Sequence, residues 1–167
     1  MYTLAFAKTA DAELCYQIID EGRRFQKEQG FVQWTDDYPN IDTIHSDIAA
    51  NIGYVLKTDN NIAGYMCIDF SGEPAYVNID GAWRSAQPYA VVHRMAFSRT
   101  FQGTGLANTA FALIEALCRD KNIPYIRVDT DPANKRMQHI LTKNGFAHCG
   151  SITFQGSEKL AYDKLLL

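Results

Sequence analysis

The chain has 167 residues, 47% of them apolar and 21% charged, with a net charge of −3 at pH 7. That length and apolar content suit one core-forming domain spanning residues 1–167. Mild acidity without a basic run argues against a nucleic-acid binder, which neutralises phosphates with a stripe of Lys and Arg.

"YTLAFA" alternates like a short strand, and no basic region precedes a long apolar stretch there, so no signal peptide is read. Thr9 is the expected cap of the helix "DAELCYQIIDEGRRFQKEQ", whose apolar residues recur at Leu14, Ile18, Ile19 and Phe25. Gly30 is its natural stop. "FVQWTDDYPN" is an aromatic, acidic loop, after which Asn40 can cap a second helix, "IDTIHSDIAAN". "GYVLKT" and "IAGYMCIDF" flank the turn "DNN" as a hairpin. "SGEPAYVNIDGAWRSAQP" reads as irregular chain with exposed-looking aromatics. "YAVVHRMAFS" is a strand leading through glycines into a helix from about Gly105 to Asp120. Glu115 breaks that helix's apolar run, so no membrane span is expected. "YIRVDT" is the next strand, and "DPANKRMQHILTKNGF" a helix capped at Asp131 or Asn134 and ended by Gly145. "FAHCGSITF" and "EKLAYDKLL" close the chain as strands. Cys15, Cys67, Cys118 and Cys149 form no CxxC pair and read as buried, reduced thiols, which fits a cytoplasmic protein.

The chemistry concentrates at "QGTGLA". A helix N-terminus exposes N–H groups that lack intrahelical acceptors, and the helix dipole adds partial positive charge. Small residues let an anion reach those groups, so this stretch is a candidate phosphate cradle, with the Thr104 hydroxyl as an extra donor. The alternative is a tight strand-to-helix turn without a ligand. No Lys follows Gly105, which excludes a P-loop, and Asn108 stands where a dinucleotide fingerprint needs its third Gly.

"VVHRMAFSRTFQGTGLANTAFALIEAL" resembles motif A of the GNAT superfamily of N-acetyltransferases, with Gln102, Gly103, Gly105 and Ala107 at the matching places. "IRVDTDPANKRMQHILTKNGF" is similar to the same family's later strand and helix, with Asn134, Gly145 and Phe146 in position. The resemblance implies an α/β (α+β) fold: a central mixed, mostly antiparallel twisted sheet, flanked by about four helices and splayed between the fourth and fifth strands. It implies acetyl-CoA as cofactor, its pyrophosphate on the amides of Gln102, Gly103, Thr104, Gly105, Leu106 and Ala107. The pantetheine arm is expected along Met95, Ala96 and Phe97 like an added strand. Asn134 matches the family's Asn that binds the arm, and Lys135, Arg136 or Lys143 is offered for the 3′-phosphate. The resemblance also allows a homodimer.

Transfer to an amine needs a group to take its proton, and the resemblance offers Asp129, the strand-end carboxylate some members use. Capping the loop before Asn134 is its alternative role. His93 is the other candidate, placed by strand alternation on one face with Met95 and Phe97, while Arg94 faces the opposite way, free to anchor a substrate carboxylate or to pair with Asp129. The Phe97 N–H is an expected oxyanion donor. Leu141 stands where many members carry a proton-donating Tyr. Cys149, Tyr89 or Tyr38 is a substitute, unless the thiol leaves without help.

Trp34 and Tyr38, with Trp83 less so, are candidate pocket walls, and Asp36 and Asp37 favour a cationic substrate if they face inward. The expected acceptor is a small-molecule amine. Two alternatives stay open: a non-catalytic acyl-CoA-binding protein on the same fold, and a protein N-terminal or lysine acetyltransferase.

Overall fold

The computed structural model describes residues 1–101 and 103–167; the expectation placed on Gln102 lies outside the described residues. The elements are β1 (Tyr2–Phe6), α1 (Ala12–Glu28), α2 (Ile41–Ala49), β2 (Gly53–Thr58), β3 (Asn61–Asp69), β4 (Asp80–Gly81), β5 (Ala90–Phe97), α3 (Leu106–Asp120), β6 (Tyr125–Thr130), α4 (Lys135–Lys143), β7 (Ala147–Phe154) and β8 (Ser157–Leu165). The strand order is β1-β2-β3-β5-β6-β8-β7-β4. The β1–β2, β2–β3, β6–β8, β7–β8 and β4–β7 ladders are antiparallel, and β5–β6 is parallel. This is the expected mixed, mostly antiparallel sheet with four helices. The pair expected to splay is β5–β6 in this numbering, because Asp80–Gly81 adds a strand to the count. Its register pairs are Ala90↔Ile126 and Val91↔Arg127, near the start of both strands.

The chain forms two compact units, Met1–Ile68 with His93–Leu113, and Asp69–Val92 with Ile114–Leu167. In the first unit, α1 buries Ala12, Cys15, Ile18 and Ile19 at helical spacing. They pack with Ile44 of α2, Val55 of β2, Tyr65 of β3 and Ala96 of β5. Each Ile or Val among them contributes about 1.5–3 kcal/mol by leaving water. Leu14, expected on this stripe, is 43% exposed. The buried line runs through Cys15, one position and so about a quarter-turn away. Thr9 does not cap α1: it lies in a 3₁₀ turn, Thr9–Asp11, and Asp11 holds the N-cap position. The Asp11 carboxylate turns back to accept the Lys8 N–H at 2.8 Å. Asn40 does cap α2, in a reciprocal box. Its Oδ1 accepts the Thr43 N–H at 3.0 Å, and the Thr43 hydroxyl accepts the Asn40 N–H at 3.2 Å.

The second unit has its own core of Tyr76, Val91, Ile152 and Ala161, with Trp83 and Tyr89 against it. Residues 71–88, read as irregular with exposed-looking aromatics, hold a 3₁₀ turn at Pro74–Tyr76 and the strand β4. Tyr76 is buried. β4 exists because Asp80 and Gly81 meet Ser151 and Gly150 of β7, far along the chain. α4 takes Asn134 as its cap, whose Oδ1 accepts the Met137 N–H at 3.0 Å.

All four cysteines are free thiols, with Cys149 half-buried and the others buried. Burial pushes Cys15 and Cys118 up to about 12 and Cys149 up to about 11. Among the described residues, no helix is long and apolar enough to cross a membrane.

Asp163 of β8 is fully buried and organises this unit's polar interior. It accepts the Tyr125 hydroxyl at 2.6 Å, Arg84 Nε at 2.6 Å and the Arg84 backbone N–H at 2.9 Å. Burial opposes its ionisation, yet the bonds from Tyr125 and Arg84 outweigh that and hold the carboxyl below the usual range. A lowered folded-state pKa contributes stability in full above the unfolded value of about 3.9. That contribution is lost as pH falls through the folded value. Asp163→Asn is therefore expected to lose about 1–3 kcal/mol near neutrality. Urea titrations at stepwise lower pH check this, because the gap from wild type closes in acid.

Candidate functional site

In the first unit, α1 pins the aromatic loop. Arg23 is buried and donates from Nε to the Thr35 carbonyl at 2.7 Å, from a second nitrogen to the Pro39 carbonyl, and from Nη1 to Asp20 at 2.7 Å. Gln26 accepts the Trp34 N–H at 2.9 Å. Trp34 packs against the core, and a methyl group on Gly22 of α1 would stand 2.9 Å from its ring. Trp34 therefore plugs the core's edge. Asp36 and Asp37 do not face inward: both are exposed, and Asp36 pairs with Lys27 at 2.8 Å.

That pinned loop brings the Tyr38 hydroxyl to Arg94 Nη1, 2.8 Å away. Arg94 also forks onto Asp47 of α2, Nη2–Oδ1 2.6 Å and Nε–Oδ2 3.0 Å. Tyr65 donates to the same carboxylate at 2.6 Å. Burial first, then the Asp47 charge, push the Tyr65 phenol well above its ordinary value, so it stays a donor. Arg94 is thus committed to Asp47. Its φ of 54° puts it in the left-handed region inside a strand. This interrupts the alternation used to place His93 with Met95 and Phe97. Beyond it, Ala96 is buried, and the Phe97 ring lies over Gly64 of β3, where a Cβ would come within 2.7 Å. Gly64 is what lets Phe97 lie there.

The glycine turn follows. Gly103 and Gly105 have φ of 79° and 73°, which L side chains resist. Among the described residues, a Cβ at Gly103 would meet nothing within 4 Å, and one at Gly105 only the Asn108 side chain at 3.9 Å. The Gly105 carbonyl accepts the first bond of α3, from Thr109 at 3.3 Å. The N–H groups of Leu106 and Ala107 lie ahead of that bond and have no intrahelical acceptor. Backbone donors and open space coincide, as a main-chain anion cradle requires. The Thr104 hydroxyl donates to the Phe101 carbonyl at 2.5 Å.

In the second unit, Asp129 of β6 accepts the Tyr76 hydroxyl at 2.6 Å. Burial, then the Asp129 charge, raise the Tyr76 phenol well above its usual range, so it remains a neutral donor. In the turn before α4, Asp131 accepts the Ala133 N–H at 2.9 Å and pairs with Lys159 at 3.2 Å. Leu141 is buried in the core and offers no proton. Of the substitutes for it, Tyr89 accepts the Glu73 N–H at 3.2 Å, and Cys149 is pushed up to about 11, chiefly by burial. Trp83 is bound inside this unit, its indole N–H on the Tyr76 carbonyl at 2.9 Å.

Three residues here escaped sequence reasoning: Asp47, Tyr65 and Tyr76. Asp47 left a local trace, a carboxylate on the apolar stripe of a helix beside Ile44 and Ile48. Tyr76 left none.

The model of the acetyltransferase (GNAT) family matches residues 15–146. A GNAT-family acetyltransferase from Streptococcus agalactiae is 32% identical, with a TM-score of 0.90 over 99% of this chain and 96% of that one. One from Listeria monocytogenes is 23% identical, with a TM-score of 0.78 over 99% and 95%. The aminoglycoside acetyltransferase AAC(6')-Ib, solved with ribostamycin and coenzyme A, shares the fold at 20% identity and a TM-score of 0.72, over 98% and 93%. No curated protein matches the sequence.

Proposed function

The chain belongs to the acetyltransferase (GNAT) family, and on that footing we propose that it moves the acetyl group of acetyl-CoA to the amine of a small molecule by direct attack on the thioester. The observation that carries this reading is the glycine turn: left-handed backbone at Gly103 and Gly105, with open space where side chains would stand. Such a cradle fits a diphosphate, which approaches amide N–H groups closely when no Cβ intervenes. Gly103 to Ala107 hold the pyrophosphate in this reading, and the main chain of Met95 to Phe97 orients the pantetheine arm. Asn134 keeps its assignment to that arm while its Oδ1 serves α4.

Bound acetyl-CoA supplies an activated acyl group, and the chain's task is to deliver a neutral amine to it. Asp129 takes the amine's proton, with Tyr76 fixing its carboxylate. His93 is the second candidate for that role. The Phe97 N–H is offered to the thioester carbonyl as a hydrogen-bond donor. Arg94 does not reach for substrate in this reading. It fixes Tyr38, which lines the acceptor side. A small acceptor is supported by AAC(6')-Ib, whose structure holds an aminoglycoside. Residues 1–167 form one acetyltransferase domain in this reading, since the family match runs through both units. Free thiols suit a reducing cytoplasm.

Gly105→Val tests the cradle. A β-branched residue at a φ of 73° is strained by about 1–2 kcal/mol, a loss a single domain tolerates. The branched side chain fills the space the diphosphate needs. Titration calorimetry with CoA is expected to show no measurable binding, with the circular dichroism of wild type retained. Unchanged affinity would remove the cradle from the mechanism.

A further inference from the structure

Arg127 of β6 is 8% exposed, yet it forms no ion pair among the described residues. Its guanidinium centre lies 4.1 Å from the Tyr89 ring, 4.4 Å from Trp83 and 5.2 Å from Tyr125. Its hydrogen bonds go to the Ser85 carbonyl at 2.8 Å and, at a long 3.4 Å, to the Tyr125 hydroxyl. Tyr125 relays to Asp163, whose charge is already matched by Arg84. Arg84 thus takes the Asp163 carboxylate directly, and Arg127 reaches it only through the Tyr125 hydroxyl. Aromatic faces offset part of the cost of burying Arg127 but accept no in-plane N–H. Of the five N–H donors of a guanidinium, two are used. The donors left lie along the rim of a planar fork, the shape that pairs with a carboxylate through two parallel bonds.

Arg127 and Asp129 share one side of β6, their Cα atoms about 7 Å apart. One aromatic layer confirms the shared side: Tyr76 donates to Asp129, and its ring lies 5.1 Å from Trp83 and 6.2 Å from Tyr89. A guanidinium without a direct ion pair therefore stands two residues from the carboxylate assigned above as the amine's base.

We infer that Arg127 anchors the carboxylate of the acceptor, so that the amine acetylated belongs to an amino acid or a similar zwitterion. This rests on Asp129 serving as the amine's base, as proposed above. The ammonium end goes to Asp129 and the carboxylate to the rim of Arg127. A simple polyamine leaves the guanidinium without its counter-ion.

The test is calorimetric titration of the full chain, with and without saturating CoA. The probes are glycine, L-alanine, L-phenylalanine and L-glutamate, each beside its α-carboxamide. The acids are expected to bind about tenfold or more tightly than the amides, because a charged acceptor is exchanged for a neutral one. Arg127→Met should bring the acids down to the level of the amides, and Arg127→Lys, which keeps the charge and loses the fork, should fall between. Equal affinity of acid and amide for wild type overturns the inference without any variant. So does failure of every acid to bind, or an Arg127→Met protein that still prefers the acids. Acetyl transfer on the same compounds separates the two readings. A carboxylate preference in binding without turnover upholds the anchor and defeats the transfer assignment. Turnover of acids and amides alike does the reverse.

Discussion

Asp47→Ala is expected to lower the unfolding free energy by about 3–5 kcal/mol, the usual effect of removing one member of a buried ion pair. The Arg94 guanidinium is then left buried with only the Tyr38 hydroxyl, and the Tyr65 phenol loses its acceptor. Arg94 carries a second burden, left-handed backbone inside a strand, which costs an L residue about 1–2 kcal/mol. The Asp47 pair holds it there. Adding Arg94→Gly to Asp47→Ala should therefore restore part of the loss, since glycine removes both the buried charge and the strain. Urea unfolding of wild type, the single variant and the double variant measures this. A single-variant loss below about 1 kcal/mol would show that the pair is effectively solvated.

Asp129→Asn is expected to slow transfer by about 10²–10⁴-fold at neutral pH, the range that general-base catalysis supplies. The amide oxygen of Asn still accepts the Tyr76 hydroxyl, so the melting temperature should hardly move. The deficit should shrink as pH rises towards the amine's own pKa, about 10 for an alkylamine of the lysine type, where the amine sheds its proton unaided. A pH–rate profile of constant ratio to wild type would clear Asp129 of proton removal. A large fall in melting temperature would recast it as structural support for Tyr76.

What was legible in the chain follows the range of each signal. Asn40 and Asn134 were readable as caps because an Asn three residues before the N–H it accepts is a local arrangement. The hairpin of β2 and β3 and the glycine turn ahead of α3 are equally local. Arg94 was assigned to a face by alternation, and its left-handed φ defeats alternation at that residue. Its partner Asp47 sits on another element, so residue spacing could not announce the pair. Tyr76 illustrates the same limit. Gly, Pro and polar neighbours gave it a loop's surroundings, while its burial comes from Trp83, Tyr89 and Asp129. Arg127 lies in "YIRVDT", where a strand reading was correct. The Trp83 and Tyr89 rings that stack on its guanidinium come from outside that strand, beyond the reach of local spacing. The glycine turn was legible because main chain and small residues make it. The Arg94–Asp47 and Tyr76–Asp129 contacts were not, because side chains from distant elements make them.

The burial that lifts Cys15, Cys118 and Cys149 has a use at the bench. Thiolates attack disulfide reagents, and these sulfurs stay protonated where an unshielded thiol, with a pKa of about 8.5, begins to ionise. A chromogenic disulfide should accordingly colour slowly with the folded chain by itself and quickly once turnover liberates a solvent-borne mercaptan. Unfolding would reverse that silence, so the same dye would double as a sensor of lost structure.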